Sequence, residues 1–135
     1  MKAYGVLVDT SVLIPFFQGK RNEQVDHFVK MVQDDMPVYL CPVVIQEALQ
    51  GIRSDRQFEE VKAGLLAFPI IEWEPVEAFV AAAQLYRALR KRGIKIRRSN
   101  DCLVGAYARQ ANLSVLHMDR DFSQMVEAGV IPRMY

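Results

Sequence analysis

Two acids stand where chemistry can use them in the stretch from Ser99 to Phe122: Asp101 near its start, and Asp119 at the close of an apolar run, with Asp121 two residues further on. Ser99 and Asn100 are good helix caps, and Leu103, Val104, Tyr107, Ala108 and Ala111 recur behind them at helical spacing. This predicts Asp101 in the first turn of an amphipathic helix. Asn112 stops that helix, and Leu113 to Met118 reads as a buried strand ending abruptly in Asp119-Arg120-Asp121. A carboxylate at the mouth of a buried strand, paired with another at a helix start, is a donor set for a cation. Asp9 and Glu47 extend it, the first after an apolar run and the second inside a helix opened by Pro42. Hard cations such as Mg²⁺ and Mn²⁺ take oxygen ligands and are commonly held by a few carboxylates plus a substrate phosphate. Singly, each acid has a plain structural reading: Asp9 as a turn residue or cap, Glu47 as an exposed helical acid, Asp101 as a charge favourable to a helix N-terminus, Asp119 as a loop acid. Two of them at strand ends, with no competing His or Cys cluster, favour a site.

The elements that must position these acids follow from periodicity. Tyr4 to Val8 is a buried strand, followed through Asp9-Thr10-Ser11 by a helix with Val12, Leu13, Ile14, Phe16 and Phe17, which Pro15 is expected to keep short. Asn22 caps a helix with Val25, Phe28, Val29 and Val32 on one side, and Val38 to Cys41 is a second buried strand. Helices follow from Pro42 and from Ser54-Asp55, then a third short strand at Ile70 to Trp73, and the longest helix, opened by Pro75 and running from about Val76 to Arg92, ended by Gly93 in a left-handed cap. A short helix near Phe122 to Ala128 precedes Val130-Ile131, read as an edge strand. Strands alternating with helices imply parallel pairing with right-handed crossovers, hence a three-layer α/β/α sandwich around a mainly parallel sheet. Ligands bind beyond the carboxyl ends of strands in such sheets, where Asp9 and Asp119 both fall.

The 135 residues, 51% hydrophobic and 24% charged, are expected to form a single domain spanning 1–135. A net charge of +1 gives no bulk attraction for a polyanion, so any nucleic-acid signal must be local. Cys41 and Cys102 share no Cys-x-x-Cys or His context and read as buried free thiols of a reducing compartment. With neither a signal-peptide core nor a membrane-spanning run, the expected location is the cytoplasm.

Four blocks carry a resemblance: Val-Leu-Val-Asp-Thr-Ser-Val-Leu-Ile at 6–14, Pro-Val-Val-Ile-Gln-Glu-Ala-Leu-Gln-Gly at 42–51, Gly-Ile-Lys-Ile-Arg-Arg-Ser-Asn-Asp-Cys-Leu-Val-Gly-Ala-Tyr-Ala at 93–108, and Leu-His-Met-Asp-Arg-Asp-Phe at 116–122. In this order and at these intervals they resemble the PIN domain, in its VapC toxin branch. The resemblance implies a metal-dependent endoribonuclease, the toxin of a toxin–antitoxin pair, restrained by a VapB-type antitoxin and usually homodimeric. It implies an acidic quartet of Asp9, Glu47, Asp101 and Asp119 with Asp121 as an outer member, Mg²⁺ or Mn²⁺ as cofactor, and a hydroxyl from Thr10 or Ser11 beside the metal. His117 departs from the Thr or Ser that many relatives carry there. Either it reaches toward a water or phosphate at the site, or it is a core histidine.

Arg87, Arg90, Lys91, Arg92, Lys95, Arg97 and Arg98 form a basic cluster. A solvated helix end explains Arg90 to Arg92, whereas Arg97 and Arg98 lie beyond Gly93 and are candidate contacts for RNA phosphates or acidic antitoxin groups. Phe16 and Phe17 cannot both point inward on one short helix, which leaves at least one for an antitoxin or a second subunit. His27 reads as structural or surface. Three rivals stand beside the nuclease. A phosphohydrolase with Asp9 as nucleophile lacks the second acid two residues later, where Ser11 stands. A receiver-like module fits the acids poorly, and a PIN-like domain that binds RNA without cutting it differs from the nuclease only in activity.

Overall fold

A computed structural model of the chain describes residues 5–134; the start of the first expected strand, Tyr4, lies outside the described residues. Val6–Val8 forms β1, wholly buried at the centre of a three-stranded sheet of order β2-β1-β3, where β2 is Val38–Tyr39 and β3 is Ser114–Leu116. Both pairings are parallel, Val6 opposite Val38 on one side and Ser114 on the other, Val8 opposite Leu116. The apolar run of β1 and the burial of every residue of β3 are what a sheet covered on both faces requires.

Helices α1 (Thr10–Phe17) and α2 (Glu23–Gln33) link β1 to β2. Between β2 and β3 run α3 (Pro42–Gln50), α4 (Asp55–Leu66), α5 (Pro75–Lys91) and α6 (Ser99–Ala111), and α7 (Arg120–Glu127) follows β3. Their bounds have local causes. Asn22 Oδ1 accepts the Val25 amide at 2.9 Å and Ser54 Oγ that of Gln57 at 3.2 Å, while Pro42 and Pro75 open α3 and α5. Gly93 follows α5 at φ +78° and Asn112 ends α6 at φ +55°, the left-handed stops their types allow. Helix α6, buried at every residue from Asp101 to Ala108, packs along α5 and against β3 and α7.

Five expectations are corrected. Ile70 to Trp73 supplies a single parallel bridge, Ile70 to Leu40, because β2 offers an edge only two residues long. Val130-Ile131 is not a strand; Ile131 is buried as irregular chain, so its apolarity serves the core and not a ladder. Pro15 does not shorten α1, which runs through it to Phe17, since a proline in the sixth position of an eight-residue helix loses few bonds. The N-cap of α6 is Arg98, whose carbonyl accepts the Asp101 amide at 3.0 Å, and Ser99 and Asn100 are helical. Phe16 and Phe17 are both half-buried. Phe16 stacks edge-to-face on Phe28 at 5.0 Å, and Phe17 lies against Gly64 of α4. His27 is exposed, and both cysteines are buried and free. Among the described residues no helix is long and apolar enough to cross a membrane.

Candidate active site

Chain order β2-β1-β3 reverses direction between β1 and β3: the chain leaves β1 toward one neighbour and returns, after α6, to the other. The crevice beyond the carboxyl ends of strands flanking such a reversal is where open α/β sheets hold ligands. Asp9 follows β1 and Asp119 lies three residues past β3, one on each side of it.

Both acids are N-caps. Asp9 Oδ2 accepts the Ser11 amide at 3.1 Å and the Ser11 hydroxyl at 2.7 Å, opening α1, and Asp119 Oδ1 accepts the Asp121 amide at 3.0 Å, opening α7. Asp101 lies in the first turn of α6, so three helix N-termini converge and their partial positive charge favours carboxylates. Ser11 Oγ also accepts the Met118 amide at 2.9 Å, tying the ends of β1 and β3 together; Thr10 is buried beside it.

Ligand atoms of Asp101, Asp119 and Asp121 lie within 4.8 Å of one another, a spacing one cation can bridge. Asp9 is buried with them and adds its field to Asp101. Its Oδ1, like Asp101 Oδ2, is buried without a hydrogen-bond partner. Buried carboxylate oxygens that accept no hydrogen bond are costly, and these two are the observation that a divalent cation fits this donor set. Burial pushes the Asp101 carboxyl up to about 8, helped by its hydrogen bond with Asp121 and the charges of Asp9 and Asp119, against the pull of Arg98. Burial also acts to raise Asp119, but the Asp121 amide and the guanidinium of Arg98 outweigh it and hold that carboxyl below its usual range.

Glu47, half-buried on α3, stands outside this close group and is reached through Asn100, whose Nδ2 donates to its Oε2 at 3.5 Å. Sequence reasoning passed over Asn100 as a mere cap; its place beside Asp101 was the available signal. His117 lies just past β3. Its Nδ1 accepts the Asp119 amide at 3.1 Å and its ring rests on buried Phe122 at 5.2 Å, so it shapes the turn that carries Asp119. Burial lowers its pKa, opposed by Asp9 and Asp119, which keeps the imidazole neutral and able to accept.

Arg97 and Arg98 point into the acids. Arg98 Nη2 donates to Asp119 Oδ2 and its Nε lies 3.6 Å from Asp101 Oδ2, while Arg97 Nη2 lies 3.5 Å from Asp119 Oδ1. Asp121 accepts the backbone amides of both, at 3.2 and 3.3 Å. A cavity of about 540 Å³ opens on the other flank of Asp119, with His117, Met118, Arg120 and Arg133 in its wall.

A parallel α/β/α sandwich with a cluster of buried carboxylates at its topological switch point defines a class of α/β proteins whose site lies beyond the strand ends. Within it, the PIN domain model matches residues 6–128, and the chain belongs to the PIN domain family. Among curated relatives, the VapC ribonuclease Mb1587 of Mycobacterium bovis and ribonuclease VapC11 of Mycobacterium tuberculosis are each 26% identical over 118 residues, 87% of this chain and 88% of theirs. The fold is similar to the crystal structure of FitAcB from Neisseria gonorrhoeae (TM-score 0.65, 23% identity, 93% of this chain and 94% of that one). It is also similar to VapBC2 from Rickettsia felis bound to a DNA fragment from their promoter (TM-score 0.66, 14% identity, 94% and 92%).

Proposed function

We propose that the chain is an endoribonuclease, the toxin of a VapBC-type pair, restrained by a VapB-type antitoxin. The observation that carries the chemistry is the convergence of buried Asp101, Asp119 and Asp121, with Asp9 beside them, at the switch point of the sheet. The likeness to VapC ribonucleases over 87% of the chain supports RNA as the substrate and the toxin role. The whole of 1–135 acts as one nuclease domain, in the cytoplasm where RNA is available.

In this reading Mg²⁺ or Mn²⁺ is held by Asp9, Asp101 and Asp119, with Asp121 as outer member. When bound, the ion supplies positive charge that polarises the scissile phosphate and acidifies a water. The chain's own groups do the rest. Glu47, steadied by Asn100, orients the attacking water and accepts its proton as oxygen adds to phosphorus and one P–O ester bond breaks, the leaving oxygen taking a proton from solvent. Ser11 fixes the rotamer of Asp9 and brings the two strand ends together, with Thr10 packed behind, and His117 holds the Asp119 turn. Arg97 and Arg98 form the rim that meets RNA phosphates, and the cavity past Asp119 gives the strand a path with Arg120 and Arg133 along it. A second copy of the chain covers the exposed apolar face of α5 formed by Val76, Phe79 and Val80.

The test is incubation of a mixed, structured RNA pool with purified, antitoxin-free protein under Mg²⁺, Mn²⁺ or EDTA, beside Asp101→Asn. Metal-dependent cuts absent from the variant are expected. Cleavage in EDTA, or full activity in folded Asp101→Asn, overturns the assignment. Replacing Arg97 and Arg98 together with Ala should lower RNA affinity and reduce the salt dependence of binding by about 1.4 in log–log slope, the single-strand value for two phosphate contacts.

A further inference from the structure

The cations that close the acid cage come from the chain itself. Arg98 bridges Asp101 and Asp119, and Arg97 reaches Asp119 and, with Nε at 3.8 Å, Asp121. Every member of the close acidic group therefore faces a guanidinium from one dipeptide. The partners differ in freedom. The arginine side chains are 62% and 54% exposed, whereas the side chains of Asp101, Asp119 and Asp121 are at most 7% exposed. The dipeptide's backbone is pinned, since Asp121 takes both its amides and the neighbouring Ile96 is buried. The guanidiniums can swing outward without moving the loop or the acids.

A guanidinium and a divalent ion need the same lone pairs here: Asp119 Oδ2 accepts from Arg98, and Asp101 Oδ2 lies 3.6 Å from Arg98 Nε, beyond hydrogen-bond reach. The resident cation thus leaves part of the cage unsatisfied. We propose that Arg98 is the resident counter-ion of the metal-free cage, a positioning residue that holds Asp101 and Asp119 converged and must leave when a divalent cation enters. Its released guanidinium then turns to the RNA phosphate at the same rim. The proposal rests on the metal-dependent reading above. Apparent metal affinity is consequently lower than the acids alone would give, by the fraction of time the cage stands open.

Calorimetric titration of Mg²⁺ and Mn²⁺ into the antitoxin-free full chain tests this, comparing wild type, Arg98→Gln and Arg98→Lys. Arg98→Gln should bind Mn²⁺ about tenfold tighter, the factor expected if the guanidinium covers the cage roughly nine-tenths of the time. Without metal it should melt lower than wild type, and saturating Mn²⁺ should restore it. Arg98→Lys, which keeps the charge and loses the planar fork, should fall between the two in affinity. In wild type the Arg98 Nε–H resonance should shift on Mg²⁺ addition, a readout that needs no variant. Equal or weaker binding in Arg98→Gln, or an Arg98 resonance indifferent to Mg²⁺ that demonstrably binds, overturns the counter-ion role and leaves the metal reading standing. Absence of binding in wild type and variants alike removes the metal reading itself.

Discussion

Asp101→Asn should make the metal-free protein more stable in alkaline solution, although it removes an acid at the heart of the site. The carboxyl is 3% exposed, has one oxygen without a hydrogen bond, and is pushed from 3.8 up to about 8 by burial first, then by Asp121 and the neighbouring acids. A carboxyl whose folded pKa is raised contributes its full stability below its unfolded pKa and loses it as pH rises through the folded value, here from 3.8 to about 8. At full ionisation the rise from 3.8 to about 8 corresponds to at most ~6 kcal/mol. Arg98, half in solvent, and water at the mouth of the crevice screen this to on the order of 1–2 kcal/mol. Asparagine cannot ionise, so at pH 8 the variant should melt about 3–6 °C above wild type for a chain of this size, and the gap should narrow to about a third of that by pH 5. The assay is thermal unfolding by circular dichroism in EDTA from pH 5 to 8.5. Adding Mg²⁺ at pH 8 should then raise wild type and not the variant. A melting difference flat with pH, or a variant less stable than wild type at pH 8, would refute the reasoning.

Three other perturbations probe the frame around the acids. Asp9→Asn keeps the Oδ2-type acceptor that opens α1 and loses the unpartnered Oδ1, so cleavage should fall by at least about a hundredfold with melting little changed, as metal-assisted charge stabilisation is worth several kcal/mol. Ser11→Ala removes the hydroxyl shared between Asp9 Oδ2 and the Met118 amide; chemical denaturation should show a loss of about 1 kcal/mol, and metal affinity should drop about tenfold. Gly5→Ala would place a Cβ 2.6 Å from the Pro37 carbonyl oxygen, a backbone atom that cannot step aside, so urea unfolding should show a loss of roughly 1–3 kcal/mol from the β1–β2 edge with the acids untouched.

The parts of the fold that the sequence announces are those with a local cause. A capping Asn22, a Pro at the head of α3 and of α5, Gly93 and Asn112 in left-handed stops, and apolar runs ended by acids each act within a few residues, so pattern alone finds them. Ile70 to Trp73 and Val130-Ile131 show that apolarity marks burial, not pairing; whether Ile70 to Trp73 forms a ladder depends on the length of edge offered by β2, far away in the chain. The start of α6 went astray for a related reason. Ser99 and Asn100 have the chemistry of caps, but Asn100 turns to Glu47 on α3, fifty-three residues away, and Arg98 takes the boundary. Of the acids, Asp9, Asp101 and Asp119 could be placed at element ends from pattern. That Arg97 and Arg98 face Asp119 and Asp121 and not open solvent depends on contacts across 21 to 24 residues, which no periodicity encodes.

Asp121 connects these observations. Fully buried, it spends its oxygens on the amides of Arg97 and Arg98, which makes it the anchor of the loop between α5 and α6 before it is anything to a cation. That anchorage fixes where α6 begins, hence where Asp101 stands, and it fixes the root from which Arg98 reaches the cage. Its hydrogen bond with Asp101 also helps raise that carboxyl, so a single side chain sets both the geometry and the protonation of its neighbour. The acids are therefore not equivalent. Asp9 and Asp119 are held by the helices they cap, Asp9 and Asp101 each carry an oxygen without a hydrogen bond, and Asp121 keeps the arginine-bearing loop in reach of them all.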